Sequence, residues 1–157
     1  MYSKEEIKEL RLNFWQSFKS YCETREATNY SRKRWMLNET QIRGLALRFD
    51  VDRENAWVIL ELQHKNEDRR LQTFEILERY KVVMEEGFEK GLIWEFYHRR
   101  EDNGQEVCRI YTRLENADWH DKEWWPDIYN FFIKNMLQME HNYLELKEVI
   151  KEELRNQ

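Results

Sequence analysis

Leu45-Ala46-Leu47-Arg48-Phe49-Asp50-Val51 and Trp57-Val58-Ile59-Leu60-Glu61-Leu62-Gln63, separated by the polar run Asp52-Arg53-Glu54-Asn55, are the stretches whose reading decides the fold. In the first, Leu45, Leu47, Phe49 and Val51 alternate with Ala46, Arg48 and Asp50; in the second, Val58, Leu60 and Leu62 alternate with Trp57, Ile59 and Glu61. A period of two places alternate side chains on opposite faces of a strand, and the polar break between the runs predicts a hairpin. The same pattern returns further along. Leu92, Trp94 and Phe96 alternate with Ile93, Glu95 and Tyr97, and Asn103-Gly104 leads into Cys108, Ile110 and Leu114 alternating with Val107, Arg109, Tyr111 and Arg113. Asn-Gly is the strongest short-range hairpin signal, because both residues tolerate the positive φ of a two-residue turn.

Around these hairpins the period changes to that of helices. Ser3 followed by Glu6 forms a capping box ahead of Ile7, Leu10, Phe14, Phe18 and Tyr21, whose spacing of three and four marks one apolar helix face. Asn66 caps a helix striped by Leu71, Phe74, Leu77, Tyr80, Met84 and Phe88, with Gly87 and Gly91 to stop it. Asp121 and Pro126 open a long helix in which Tyr129, Phe132, Met136, Met139, Tyr143, Leu146 and Ile150 form the stripe. The stripe reads as core, and the two terminal helices are expected to pack antiparallel, side by side. Between Thr24 and Thr40 the pattern lapses into a polar stretch carrying Arg32-Lys33-Arg34-Trp35, read as a connection packed by Trp35. The expectation is a single α+β domain over residues 1–157 in the order α-ββ-α-ββ-α. Two β-hairpins form a four-stranded, mainly antiparallel sheet covered on one face by three helices.

Composition limits what such a domain does. Apolar residues make up 41% and charged residues 36%, with 7 Trp, 8 Tyr and 8 Phe, which describes a globular chain with its own core. The formal charge of −5 opposes a general phosphate-binding surface, since affinity for a nucleic-acid backbone comes from clustered Lys and Arg. The first residues have neither a basic n-region nor an apolar h-region, and no uncharged apolar run approaches the roughly 18 residues of a membrane span. A cytoplasmic location with no membrane contact is the expectation. Cys22 and Cys108 form no CxxC pair and are read as reduced thiols.

Among catalytic patterns, Asp50 or Asp52 followed by Glu61-Leu62-Gln63 imitates the acidic residue and (D/E)xK of a metal-dependent nuclease, with Gln in place of Lys. A hairpin turn at 52–55 sets Glu61 opposite about Gly44, about 17–20 Å from Asp50 along the strands. That is too far for one Mg²⁺ with ligands at about 2.0–2.1 Å. His64, His98, His120 and His141 lack the i, i+4 spacing of a helical zinc motif. Four glycines form no phosphate loop and GxSxG does not occur. No catalytic residue, metal ligand or cofactor is therefore assigned.

The alternation offers more. It sends Leu47, Phe49, Val58, Leu60, Leu62, Trp94, Phe96, Cys108 and Ile110 to the helix-covered side, and Arg48, Trp57, Ile59, Glu61, Glu95, Tyr97, Arg109, Tyr111 and Arg113 to the other. A face mixing aromatics with Arg and Glu suits protein contact, and also cross-strand pairing that needs no partner. The candidate binding residues are Arg48, Trp57, Glu61, Glu95, Tyr97, Arg109, Tyr111 and Arg113, and the expected partner is a second copy or another protein. Nucleic acid is the second choice, with bases stacked on Trp57, Tyr97 and Tyr111 and phosphates on Arg109 and Arg113. Arg32-Lys33-Arg34 and Arg99-Arg100 are read as solvated charge that could extend such a patch.

Phe14-Trp15, Lys33-Arg34-Trp35, Phe49-Asp50, Glu61-Leu62-Gln63-His64-Lys65, Arg109-Ile110-Tyr111, Trp125-Pro126-Asp127-Ile128 and Phe131-Phe132 together resemble a bacterial family, domain of unknown function 4268. The resemblance covers nearly the whole chain. It implies a domain that occurs alone or as the C-terminal part of longer proteins whose N-terminal part looks like a restriction endonuclease, and so a DNA-related setting for some members. It implies no active site here.

Overall fold

The computed structural model describes residues 2–24 and 35–156. Arg32, Lys33 and Arg34, with most of the proposed connection, lie outside the described residues. The elements are α1 (Lys4–Glu23), β1 (Leu45–Val51), β2 (Asn55–Leu62), α2 (Glu67–Arg79), the single turn α3 (Lys81–Met84), β3 (Ile93–Arg99), β4 (Glu106–Glu115) and α4 (Trp125–Arg155), the last entered through a 3-10 turn at Lys122–Trp124. The class is α+β, built from two hairpins.

Helix starts follow the caps read from sequence. Ser3 N donates to Glu6 Oε1 (3.0 Å) and Glu6 N to Ser3 Oγ (3.2 Å), a reciprocal pair that satisfies two otherwise unpaired N–H groups. Asn66 Oδ1 accepts from Arg69 N at 2.9 Å, and Pro126 sits in the first turn of α4, where its missing N–H has no partner to lose. The middle helix does not run unbroken to Gly87. Tyr80 leaves helical geometry (φ −109°, ψ 25°), and Asn142 of α4 donates to the carbonyls of Met84 and Glu86 (2.9 and 2.7 Å), closing α3 after one turn.

All four strands pair antiparallel in the order β1-β2-β4-β3, so the hairpins join through their second strands and β1 and β3 form the edges. Leu47, Val58, Leu60, Leu62, Cys108 and Ile110 point into a core shared with Phe74 and Leu77 of α2 and Met136, Met139, Tyr143 and Leu146 of α4. Ala46, Ile59, Val107 and Tyr111 are also buried, yet lie outside that cluster, on the opposite face.

The terminal helices pack against each other at one crossing rather than along their length. Their ring contacts fall between residues 14–21 and 125–132, where Phe14 lies 5.3 Å from Trp125 and 5.2 Å from Tyr129, and Tyr129 Oη donates to Phe14 O (2.6 Å). Beyond that crossing the α4 stripe is used by the sheet, with Met136, Met139 and Tyr143 fully buried. Trp119, unassigned by its pattern, is 2% exposed and 5.8 Å from Phe14. Trp35 stacks on Phe18 at 6.4 Å, as its packing role required.

Candidate functional site

Register arranges the helix-free face in rows across the strands. Ala46, Glu61, Arg109 and Glu95 form one row, Arg48, Ile59, Tyr111 and Ile93 the next, and Asp50, Trp57 and Arg113 a third. Seven of the eight candidate residues, all but Tyr97, stand here.

Glu61 is the centre. Its carboxylate is fully buried and accepts from Arg48 Nη1 (2.8 Å), Arg100 Nη1 (3.0 Å) and Gln63 Nε2 (2.8 Å). Such an anion is tolerable in low dielectric only because two guanidinium groups and an amide replace its water. Arg100 also grips Asp102 through Nε (2.9 Å) and Nη2 (2.6 Å), which holds the Asp102 carboxyl below its usual range. Arg109, directly across from Glu61, turns the other way. Its Nε and Nη2 lie 2.9 and 2.8 Å from Glu95 Oε1, and its guanidinium carbon lies 4.9 Å from the centre of the Tyr111 ring. His98 Nδ1 lies 3.3 Å from the same Glu95 oxygen; burial, then Arg109, holds the imidazole below its ordinary pKa.

Tyr97 is not on this face. A bulge between Glu95 and His98 puts two residues opposite one, so that Glu95 pairs with Arg109 and His98 with Val107, and the alternation slips by one. His98 takes the place expected for Tyr97. The Tyr97 hydroxyl donates to Glu106 Oε1 (3.2 Å), whose other oxygen lies 3.8 Å from Arg70 of α2, on the helix side. Tyr111 is on the expected face but only 4% exposed, beneath Arg109. Trp57 is half-buried, with its Nε1 enclosed and without a partner. Ile93 at 42% and Arg113 remain exposed at the rim.

Asp50 completes the third row. It accepts from Val51 N (2.9 Å), and burial pushes its carboxyl above the usual range against the opposing pull of Arg48 and Arg109. The turn spans the expected residues 52–55, with Asp52 Oδ1 accepting from both Glu54 N and Asn55 N at 2.7 Å, and it pairs Val51 with Ala56. Glu61 therefore faces Ala46 rather than Gly44. The Asp50-to-Glu61 offset shrinks to four residues along the strands, about 13 Å at about 3.3 Å per residue, still too far for one ion. Among the described residues no group of three or more His, Cys, Asp or Glu could hold a metal, and no helix is long and apolar enough to cross a membrane. His64 lies half-buried in the turn after β2, with its Nδ1 enclosed and its ring beside Gly44.

Gln63, Arg100, Asp102 and His98 escaped the sequence reading of this face. Arg99-Arg100 reads in the sequence as solvated charge that could extend a patch, whereas the Arg100 side chain is only 16% exposed. The available signal was Glu61 itself, a carboxylate at a central-strand position that demands cations from somewhere.

No curated protein and no solved structure matches this chain. A family profile described as "Domain of unknown function (DUF4268)" matches residues 10–147, most of the 157-residue chain and every strand of the sheet, and the chain therefore belongs to the DUF4268 family.

Proposed function

We propose that this chain is a non-enzymatic interaction module that binds protein, a second copy included, through the helix-free face of its sheet. The observation that carries the reading is the prior fixing of that face. Arg48, Arg100 and Arg109 are already tied to Glu61 and Glu95, so little side-chain freedom would be lost on docking, and affinity depends heavily on that cost. Trp57, Ile93 and Arg113 supply accessible contact around the fixed centre. The nucleic-acid alternative loses support from the same geometry: Tyr111 is covered, Tyr97 is turned away, and Arg109 is committed to Glu95.

The test is sedimentation across a protein concentration series, with and without a mixed single-stranded oligonucleotide, for the parent and for Trp57→Ala with Ile93→Ser. The expected result is concentration-dependent mass in the parent, indifference to oligonucleotide, and loss of association in a double variant that still melts cooperatively. Unaltered association in that variant would remove the face from consideration. Mass gained with oligonucleotide at low salt and lost at high salt would favour the nucleic-acid reading, because phosphate contacts release counterions.

A further inference from the structure

Resting on that reading, we infer that the occupant of the face is a second copy of the chain, seated by a two-fold axis along β2 that sets Asp50 against Arg113 of its counterpart twice, with Trp57 meeting Trp57 at the axis. The third row carries the argument. Asp50, Trp57 and Arg113 stand side by side on β1, β2 and β4, an acid, an aromatic ring and a base in that order. Among the described residues the acid and the base lack ion-pair partners: Asp50 accepts only from the backbone N–H of Val51, and Arg113 makes no side-chain bond. The other arginines of the face, Arg48, Arg100 and Arg109, are engaged with Glu61, Asp102 and Glu95.

A closed two-fold interface must be complementary to itself. Rotation about an axis parallel to the strands keeps position along β2 and exchanges β1 with β4, so the row meets itself reversed. Sheets stacked about 10 Å apart leave room for the side chains of both copies. An axis along β4 would instead set Arg113 against Arg113, and one along β1 Asp50 against Asp50. Glu61 also meets its counterpart, but each is already neutralised by Arg48 and Arg100. The half-buried Asp50 carboxylate gains a direct ion pair, where its own copy offers only the more distant pull of Arg48 and Arg109.

The experiment is charge reversal read by sedimentation equilibrium. Arg113→Glu, at an exposed position, should weaken dimerisation by about tenfold or more, and Asp50→Arg combined with Arg113→Glu should restore most of it. Should the swapped pair fail to fold, Asp50→Asn with Arg113→Gln reads the same contact, as weaker association that no longer depends on salt. A parent that stays monomeric throughout, an Arg113→Glu variant that dimerises like the parent, or a folded swap without recovery would each overturn the geometry. If Trp57→Ala with Ile93→Ser abolishes association while the charge variants do not change it, this arrangement falls and the face remains. If none of the variants matters, both fall.

Discussion

Glu61→Ala tests whether the arginine network holds the sheet. The substitution removes a fully buried carboxylate and strands the guanidinium groups of Arg48 and Arg100. Breaking a buried pair from one side costs about 3–5 kcal/mol. Two features place this case at the lower end: the Arg48 side chain is 25% exposed, and Arg100 keeps Asp102. A loss of about 3 kcal/mol, at about 2 kcal/mol per molar of urea for a chain of this size, moves the unfolding midpoint down by about 1.5 M. In a thermal melt, at about 2–4 °C per kcal/mol, the same loss lowers Tm by about 6–12 °C. The sharper comparison is Glu61→Met with Arg48→Met and Arg100→Leu. Removing the charges together should leave stability within about 1 kcal/mol of the parent, because desolvation of the ions nearly cancels their attraction. A Glu61→Ala midpoint within about 0.5 M of the parent would refute the reasoning, as would a triple variant as unstable as the single one.

Two further substitutions probe the backbone and the core. Gly44 has φ +90°, and a Cβ there would lie 2.4 Å from His64 Nε2; Gly44→Ala should cost about 2 kcal/mol in urea unfolding, and adding His64→Ala should recover only the steric part. Tyr143 donates its hydroxyl to Thr40 O (2.8 Å), and burial pushes its pKa up to about 12. The folded value lies above that of the unfolded chain, so this contribution is complete below about pH 10 and is lost as the pH rises toward the folded pKa. Stability measured between pH 9 and 12 should fall, and Tyr143→Phe should flatten that fall.

What was legible in the sequence was what neighbours along the chain decide. The capping box, the Asn66 cap and both hairpins depend on residues a few positions apart and stand where neighbours set them, although the second hairpin closes over a longer turn from Arg100 to Gln105 in which Gly104, but not Asn103, has positive φ. The slip at Tyr97 was illegible because Phe96 and Tyr97 fit either face equally well, and only the pairing of Glu95 with Arg109 and His98 with Val107 reveals the extra residue. The terminal helices do pack against each other, but only where residues 14–21 meet 125–132, for a related reason: a stripe of threes and fours shows that a helix buries a face, not which surface receives it.

Glu61 shows how far pattern reading can reach. Its position in the alternation placed it on the polar face, and an exposed ladder of Glu against Arg was the simplest account. Once β2 and β4 are neighbours in the middle of the sheet, Glu61 has strands on both sides and Ile59 and Tyr111 in the adjoining row, so the carboxylate is removed from water. Its cations must then come from β1 and from beyond the end of β3, which brings in Arg100, 39 residues away in sequence. Burial of this one carboxylate converts two arginines, Arg48 and Arg100, from mobile surface charge into a fixed layer. Asp50 and Arg113 are set apart by the same logic, since the network is closed without them, and the charges it leaves over are the ones with something to gain from a partner.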